Sequence, residues 1–188
     1  MDKNQNKHRL NAADIITLIR IVGTIMLLFL SPLTAGFFIL YAFTGLTDVL
    51  DGLIARSLKI ADDFGARLDS IADLVFYTVI LIRVLPILIT KLPREIWYAV
   101  AVIVCIRVSA YITAAIKYRR FAALHTYLNK LTGAAVFLIP FSLITDYAVV
   151  FCLIVSAVAA VSSLEELIFH IRSKEYRPNT KSIFMYKG

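Results

Sequence analysis

The chain alternates long apolar runs with short polar connections, and six apolar runs can be delimited. They extend over residues 13–30, 34–54, 68–89, 96–118, 131–144 and 147–169. A helix needs about 20 apolar residues to cross the hydrocarbon core of a bilayer, and most of these runs approach that length. Because the bilayer interior offers no water to the backbone, each run is predicted to be an α-helix. The fifth run is short, and its helix can begin earlier, within the segment TYLNK.

Basic residues collect in alternate connections. Residues 1–12, 55–67, 117–130 and the C-terminal tail are rich in lysine and arginine, whereas the connections between them contain only Lys91 and Arg94. Basic connections stay on the cytoplasmic side of a membrane. This predicts a six-helix membrane bundle over 13–172, with cytoplasmic tails at 1–12 and 173–188.

The composition supports a membrane protein over a soluble domain. Of 188 residues, 60% are hydrophobic and only 18% are charged, and the mean hydropathy is +0.79. A chain this apolar exceeds the range of ordinary globular domains. The net charge of +7 is therefore assigned to contacts with anionic lipid headgroups, and no nucleic-acid partner is expected.

One stretch contradicts the apolar pattern: TDVLDGLIARSLKIADDFGARLDSIAD, residues 47–73, contains six aspartates. Asp48 and Asp51 are three residues apart, and Asp69 and Asp73 are four apart. On helices, both spacings place the two carboxylates on one face. The connection between the pairs is short enough to join antiparallel helices, so the four carboxylates are predicted to converge near the cytoplasmic surface.

Such a cluster needs cations, because its members would otherwise repel one another and some would protonate. Hard carboxylate oxygens favour Mg²⁺ or Mn²⁺. Two ions about 3.5–4 Å apart would stabilise an in-line displacement at phosphorus. Asp62 and Asp63 lie in the connection, outside the spacing, and are predicted to be solvated or to precede the next helix.

The residues beside the aspartates fit phosphate chemistry. Gly52, Ala55 and Gly65 remove side-chain bulk where a nucleotide would approach the backbone, and Arg56 offers a planar fork to a phosphate oxygen. Each has a structural alternative, since small residues in spans also serve helix packing. An arginine at the end of a span is also an ordinary anchor to the cytoplasmic surface.

Read together, these residues form the string D-x2-D-G-x2-A-R-x8-G-x3-D-x3-D. It resembles the complete signature of the CDP-alcohol phosphatidyltransferase family. Eight fixed identities would match by chance with a probability on the order of 10⁻¹⁰ per start position, from average residue usage. The six-run layout extends the resemblance over most of the chain.

The resemblance implies an enzyme that transfers a phosphatidyl group from CDP-diacylglycerol, or a related CDP-alcohol, to a hydroxyl acceptor and releases CMP. It implies two Mg²⁺ or Mn²⁺ ions on Asp48, Asp51, Asp69 and Asp73, with Asp73 also the general base. Gly52, Ala55, Arg56 and Gly65 would contact the CDP portion. The family generally forms homodimers, and the site would face the cytoplasm of a bacterial or archaeal cell.

The acceptor alcohol is less defined. The segment LDSIAD resembles the serine and inositol-phosphate branches, because Ser70 and Leu74 replace a proline and a lysine typical of the glycerophosphate branch. The arginine–asparagine element of the serine branch is missing. An arginine within an apolar run, as at Arg107, is costly unless it faces a polar cavity. A phosphorylated acceptor is therefore expected, glycerol 3-phosphate before inositol phosphate, with serine or another unphosphorylated alcohol as the alternative. The candidate acceptor contacts are Arg107, Lys117, Arg119 and Lys130.

Other charged residues have simpler predictions. Arg20, with Thr17, faintly resembles a family element N-x2-T-x2-R and would border the same cavity, or else extend to the membrane surface. Arg83 is predicted to be an interfacial anchor, and Glu165 and Glu166 to pair with cytoplasmic basic residues.

Two other functional classes remain open. A cation or proton transporter would also place carboxylates in a membrane. It would spread them along a pathway near the midplane and would not need the small residues beside them. A catalytically silent membrane scaffold leaves the spacing of the aspartates unexplained.

Overall fold

The computed structural model describes residues 11–57, 63–119 and 126–173. In these ranges the chain forms six α-helices and no strand: α1 Ala12–Met26, α2 Ala35–Ser57, α3 Asp63–Lys91, α4 Arg94–Tyr118, α5 Tyr127–Ser142 and α6 Ala148–Arg172. The predicted all-α fold is confirmed, and each helix overlaps one predicted apolar run. The fifth helix begins before residue 131 because Thr126 caps it, accepting a hydrogen bond from the backbone N–H of Asn129.

Three stretches are long and apolar enough to cross a membrane: Arg67–Lys91, Arg94–Tyr118 and Ala148–Arg172, each of 25 residues. At 1.5 Å per residue, such a helix is roughly 37 Å long and exceeds the hydrocarbon core of about 30 Å. α1 has 15 residues and α5 has 16. The chain is therefore a helical membrane protein. The count of six spans, the single catalytic domain over 13–172 and the cytoplasmic tails stay predictions.

The helices belong to two compact units, Met1–Ile87 and Leu88–Gly188. In the first unit, α1 and α2 pack against each other. They run antiparallel, because Arg20 pairs with Asp48 while Gly23, further along α1, lies against the earlier Thr44. α1 begins with a reciprocal cap, in which the Asn11 side chain accepts from the Asp14 N–H and the Asp14 carboxylate accepts from the Asn11 N–H. This capping box satisfies two backbone donors that the first helical turn would otherwise leave unpaired.

α3 joins the first unit through an aromatic stack. The Tyr41 ring on α2 stacks on Phe76 of α3 with centroids 5.6 Å apart, and Phe37 also stacks on Tyr41, at 6.1 Å. Further along α3, the guanidinium of Arg83 donates to the carbonyl of Leu30, just after α1. Arg83, predicted to be an interfacial anchor, thus ties α3 to the residues that follow α1. These contacts fix the register in which α3 runs beside α1 and α2.

In the second unit, α6 packs against both α4 and α5. Ala110 and Ala114 on α4 are fully buried. They lie one turn apart, and small residues at this spacing allow helix backbones to approach closely. The C-terminal half of α6 buries mostly polar side chains beside Phe169, namely Ser162, Ser163, Glu165, Glu166 and His170.

Candidate active site

The ends of two helices bring the predicted aspartates together. Asp48 lies in the C-terminal half of α2, and Asp69 and Asp73 lie in the N-terminal half of α3. One oxygen from each carboxylate falls within 4.8 Å of the others. The side chains are 45–48% exposed, so a cation from solution can reach them. Three of the four aspartates that the sequence predicted to converge therefore share one site.

The fourth aspartate lies on the same helix. The backbone at Asp51 is helical and continues α2 one turn beyond Asp48. The side chains of Asp51, Ala55 and Arg56 lie outside what the structure describes, as does the surrounding of Gly52. Gly65 is described and lies half-buried in the first turn of α3. The predicted roles of these residues stay predictions.

An arginine occupies the centre of the carboxylate cluster. The Arg20 guanidinium, on α1, pairs with Asp48 through Nη1 and with Asp69 through Nη2. Its Nη1 also lies 3.6 Å from Asp73 Oδ1. The Arg20 side chain is only 1% exposed. Of the two predictions for Arg20, the structure supports the one that places it beside the cavity, and not the extension to the membrane surface.

The sequence carried a signal for Arg20, but a weak one. An arginine in an apolar run needs a polar partner. Two other polar residues precede Arg20 in this part of the chain, Asn11 nine residues earlier and Thr17 three residues earlier. Asn11 serves the helix cap, and the Thr17 hydroxyl donates to the Ala13 carbonyl at 3.0 Å. Arg20 is the member of this set whose side chain pairs with the aspartates.

The carboxylates fit a divalent metal. Three hard oxygen donors within 4.8 Å of one another and half exposed to solvent are the ligand type that Mg²⁺ and Mn²⁺ favour. Their mutual repulsion is compensated only by the single positive charge of Arg20 among the described residues. The site therefore has both the donors and the excess negative charge that a divalent cation needs.

The second unit contains a polar cluster around Arg107. Its Nη1 donates to Glu166 at 3.2 Å, its Nη2 to Asn129 at 3.0 Å and its Nε to Ser163 at 3.2 Å. The Glu166 side chain is 1% exposed and that of Arg107 is 27% exposed. Glu166 thus pairs with the arginine that the sequence marked as costly within an apolar run, and not with one of the basic residues of the predicted cytoplasmic connections.

The other candidate acceptor contacts have different surroundings. Lys117 donates from Nζ to the carbonyls of His170 and Ile171, both at 2.9 Å, and so caps the end of α6. Arg119 is exposed, and its backbone adopts the left-handed conformation that ends α4, with φ 54° and ψ 31°. Lys130 is exposed on the first turn of α5.

Comparison with known proteins supports the resemblance noted in the sequence. The family model described as CDP-alcohol phosphatidyltransferase matches residues 10–169. This range contains all of α1 to α5, most of α6 and the whole aspartate signature. No curated protein matches the chain, and no solved structure matches it.

Proposed function

Because the chain belongs to the CDP-alcohol phosphatidyltransferase family, we propose that it transfers the phosphatidyl group of CDP-diacylglycerol to a small polar alcohol. The family reaction makes the chain a membrane-bound transferase of phospholipid synthesis that uses a CDP-alcohol. The observation that carries the proposal is the convergence of Asp48, Asp69 and Asp73, three residues of the family signature, on one exposed site.

In the proposed site, Asp48, Asp51, Asp69 and Asp73 would hold two Mg²⁺ or Mn²⁺ ions. When bound, the ions would neutralise the pyrophosphate of the donor and the charge that develops on its leaving oxygen. The half-exposed positions of the three described carboxylates support this role, because the donor headgroup must reach them from the membrane surface.

The remaining steps belong to side chains. Asp73 accepts the proton of the acceptor hydroxyl as its oxygen attacks the phosphorus of the phosphatidyl group. The bond from that phosphorus to the bridging oxygen breaks, and CMP leaves with the bridging oxygen. Gly52, Ala55, Arg56 and Gly65 bind the CDP portion and hold the phosphorus in position, which removes much of the entropic barrier.

The acceptor is proposed to be phosphorylated, glycerol 3-phosphate first and inositol phosphate second. Arg107 supports this proposal because its guanidinium is part-exposed and held in a fixed orientation by three partners. Among the described residues, those bonds use three of its five N–H groups. Lys117, Arg119 and Lys130 complete the proposed acceptor set, and serine or another unphosphorylated alcohol is the alternative.

The enzyme is proposed to act as a homodimer in a bacterial or archaeal membrane, with its site facing the cytoplasm. The distribution of lysine and arginine among the connections supports this orientation. A lipid donor also explains the position of the aspartates beside the ends of apolar helices, since its headgroup lies at the interface while its acyl chains stay in the bilayer.

The test uses purified protein, radiolabelled CDP-diacylglycerol and a panel of acceptors, with Mg²⁺, with Mn²⁺ and with a chelator. We expect metal-dependent release of CMP with one phosphorylated acceptor. If no acceptor gives CMP release, the transferase proposal is wrong. Cation flux into vesicles without any CMP release would instead favour the transporter class.

Asp73→Asn tests the base. The amide cannot accept the hydroxyl proton, so turnover should fall by at least about a hundredfold while the protein stays folded. Asp146→Asn is the matched control, because Asp146 is an exposed aspartate of the connection between α5 and α6 and should leave the rate unchanged. Near-normal turnover of Asp73→Asn would remove Asp73 from the base role.

A further inference from the structure

The burial of Arg20 contrasts with the exposure of its partners. The Arg20 side chain is 1% exposed, whereas the side chains of Asp48, Asp69 and Asp73 are 48%, 47% and 45% exposed. The carboxylates therefore present one side to solution and the other to the guanidinium. A cation arriving from solution meets carboxylates that already have a positive partner behind them.

The guanidinium contacts all three carboxylates by itself. Nη1 serves Asp48 and lies near Asp73, and Nη2 serves Asp69 and also lies 3.5 Å from the Asp69 carbonyl. The planar guanidinium of arginine can serve different carboxylates with its two terminal nitrogens, an arrangement that a lysine ammonium cannot reproduce. Arg20 is thus the internal positive charge that compensates the repulsion among the carboxylates.

Divalent cations and Arg20 compete for the same carboxylates. Mg²⁺ binds carboxylate oxygens at about 2.0–2.1 Å and demands a regular arrangement of ligands. A guanidinium at hydrogen-bonding distance from the same groups repels such an ion. The carboxylates therefore cannot pair fully with Arg20 and coordinate divalent ions fully at the same time.

We propose that Arg20 is the resident counter-cation of this site, and that divalent cations bind by displacing its guanidinium from Asp48 and Asp69. Arg20 thereby sets the cation concentration at which the site fills and stabilises the site below that concentration. The inference rests on the metal site of the proposed function, and it adds a role in cation loading for a side chain on α1.

The experiment measures Mn²⁺ binding to the purified full chain in detergent, without substrate, from the electron paramagnetic resonance signal of free Mn²⁺. Arg20→Gln removes the competing charge and should lower the Mn²⁺ dissociation constant at least about tenfold. Arg20→Lys keeps the charge but cannot pair with Asp48 and Asp69 at once, so its Mn²⁺ dissociation constant should lie between those of Arg20→Gln and the unaltered protein. In the absence of divalent cations, Arg20→Gln should also lower the unfolding temperature, and Mn²⁺ should restore it.

Arg83→Gln is the matched control. Arg83 is a half-buried arginine of the same unit, with its guanidinium on the Leu30 carbonyl. It lies ten residues beyond Asp73 on α3, roughly 15 Å along the helix axis. Its replacement should leave the Mn²⁺ dissociation constant within about twofold of the unaltered protein, although it removes an arginine in the same way.

The outcomes separate the inference from the proposed function. If the unaltered protein binds no Mn²⁺, the metal site itself is wrong. If it binds Mn²⁺ and Arg20→Gln binds equally or more weakly, the metal site stands and the displacement of Arg20 is overturned. Should Arg20→Gln fail to fold, a structure of the unaltered protein with Mn²⁺ bound decides: the inference requires that the pairs with Asp48 and Asp69 are broken, and it fails if both persist.

Discussion

The α1 backbone at Gly23 lies directly against a buried side chain of α2. A Cβ added to Gly23 would lie 2.9 Å from Thr44 Cγ2, about half an ångström inside the 3.4 Å at which ordinary contacts begin. Thr44 cannot rotate away freely, because it is fully buried and its hydroxyl donates to the carbonyls of Leu40 and Tyr41. Its β-branched side chain is also restricted at χ1. Gly23→Ala must therefore separate α1 from α2.

The magnitude follows from two opposing terms. Overpacking of this kind costs about 1–3 kcal/mol, while alanine gains roughly 0.8–1 kcal/mol over glycine in helix propensity. The net expectation for Gly23→Ala is a loss of about 1 kcal/mol in the free energy of unfolding. Thr44→Ser removes only the methyl group that clashes and retains the hydroxyl. In that background Gly23→Ala should become neutral or stabilising, giving a coupling energy of about 1–2 kcal/mol between the two positions.

The assay is reversible unfolding in mixed micelles with increasing dodecyl sulfate, followed by circular dichroism. Gly36→Ala is the matched control, since a Cβ there would meet nothing within 4 Å, and it should not destabilise the protein. Gly23 is one turn from Arg20, and Thr44 is one turn from Asp48. Transferase activity should therefore fall in Gly23→Ala and recover when Thr44→Ser is added. Unchanged stability in Gly23→Ala, or the same loss with and without Thr44→Ser, would refute the steric argument.

Three further substitutions concern the second unit. Glu166→Ala leaves the Arg107 guanidinium without its carboxylate and should lower the free energy of unfolding by about 3 kcal/mol. This is the low end for a buried pair, because Arg107 is 27% exposed. Replacement of the exposed Glu95 by alanine is the control in the same unfolding titration, and equal losses in the two variants would contradict the argument. Lys117→Met removes the cap on α6 and should lower the free energy of unfolding by about 1 kcal/mol, and it should also raise the acceptor KM, because Lys117 belongs to the proposed acceptor set. Lys130→Met should leave stability unchanged and raise the acceptor KM about tenfold. Steady-state kinetics and the unfolding titration measure the two effects, and an unchanged KM in either variant would remove that lysine from the proposed set.

Local spacing predicted much of the candidate site. Residues three or four apart on a helix share a face whatever the rest of the chain does, so the pairing of Asp69 with Asp73 follows from the sequence alone. The short connection to α2 then brought Asp48 into reach. The apolar runs predicted the helices themselves, because a lipid environment leaves the backbone few alternatives to helix.

Partners distant in the sequence could not be predicted in the same way. Arg20 contacts Asp48 and Asp69 across 28 and 49 residues, and Arg107 contacts Glu166 across 59. The sequence marked both arginines as costly in apolar runs, but it did not identify Asp48 and Asp69 as the partners of Arg20 or Glu166 as the partner of Arg107.

The sequence by itself determined the helical membrane fold, the family signature and the spacing of the aspartates, because these depend on hydropathy and on the helical repeat. Only the tertiary structure decided that Arg20 lies among the three described carboxylates and that Lys117 caps α6. Such contacts depend on which helix faces meet and in what register. That choice is made by steric fits such as Gly23 against Thr44 and by the stacking of Tyr41 on Phe76, which no periodicity within a single helix encodes.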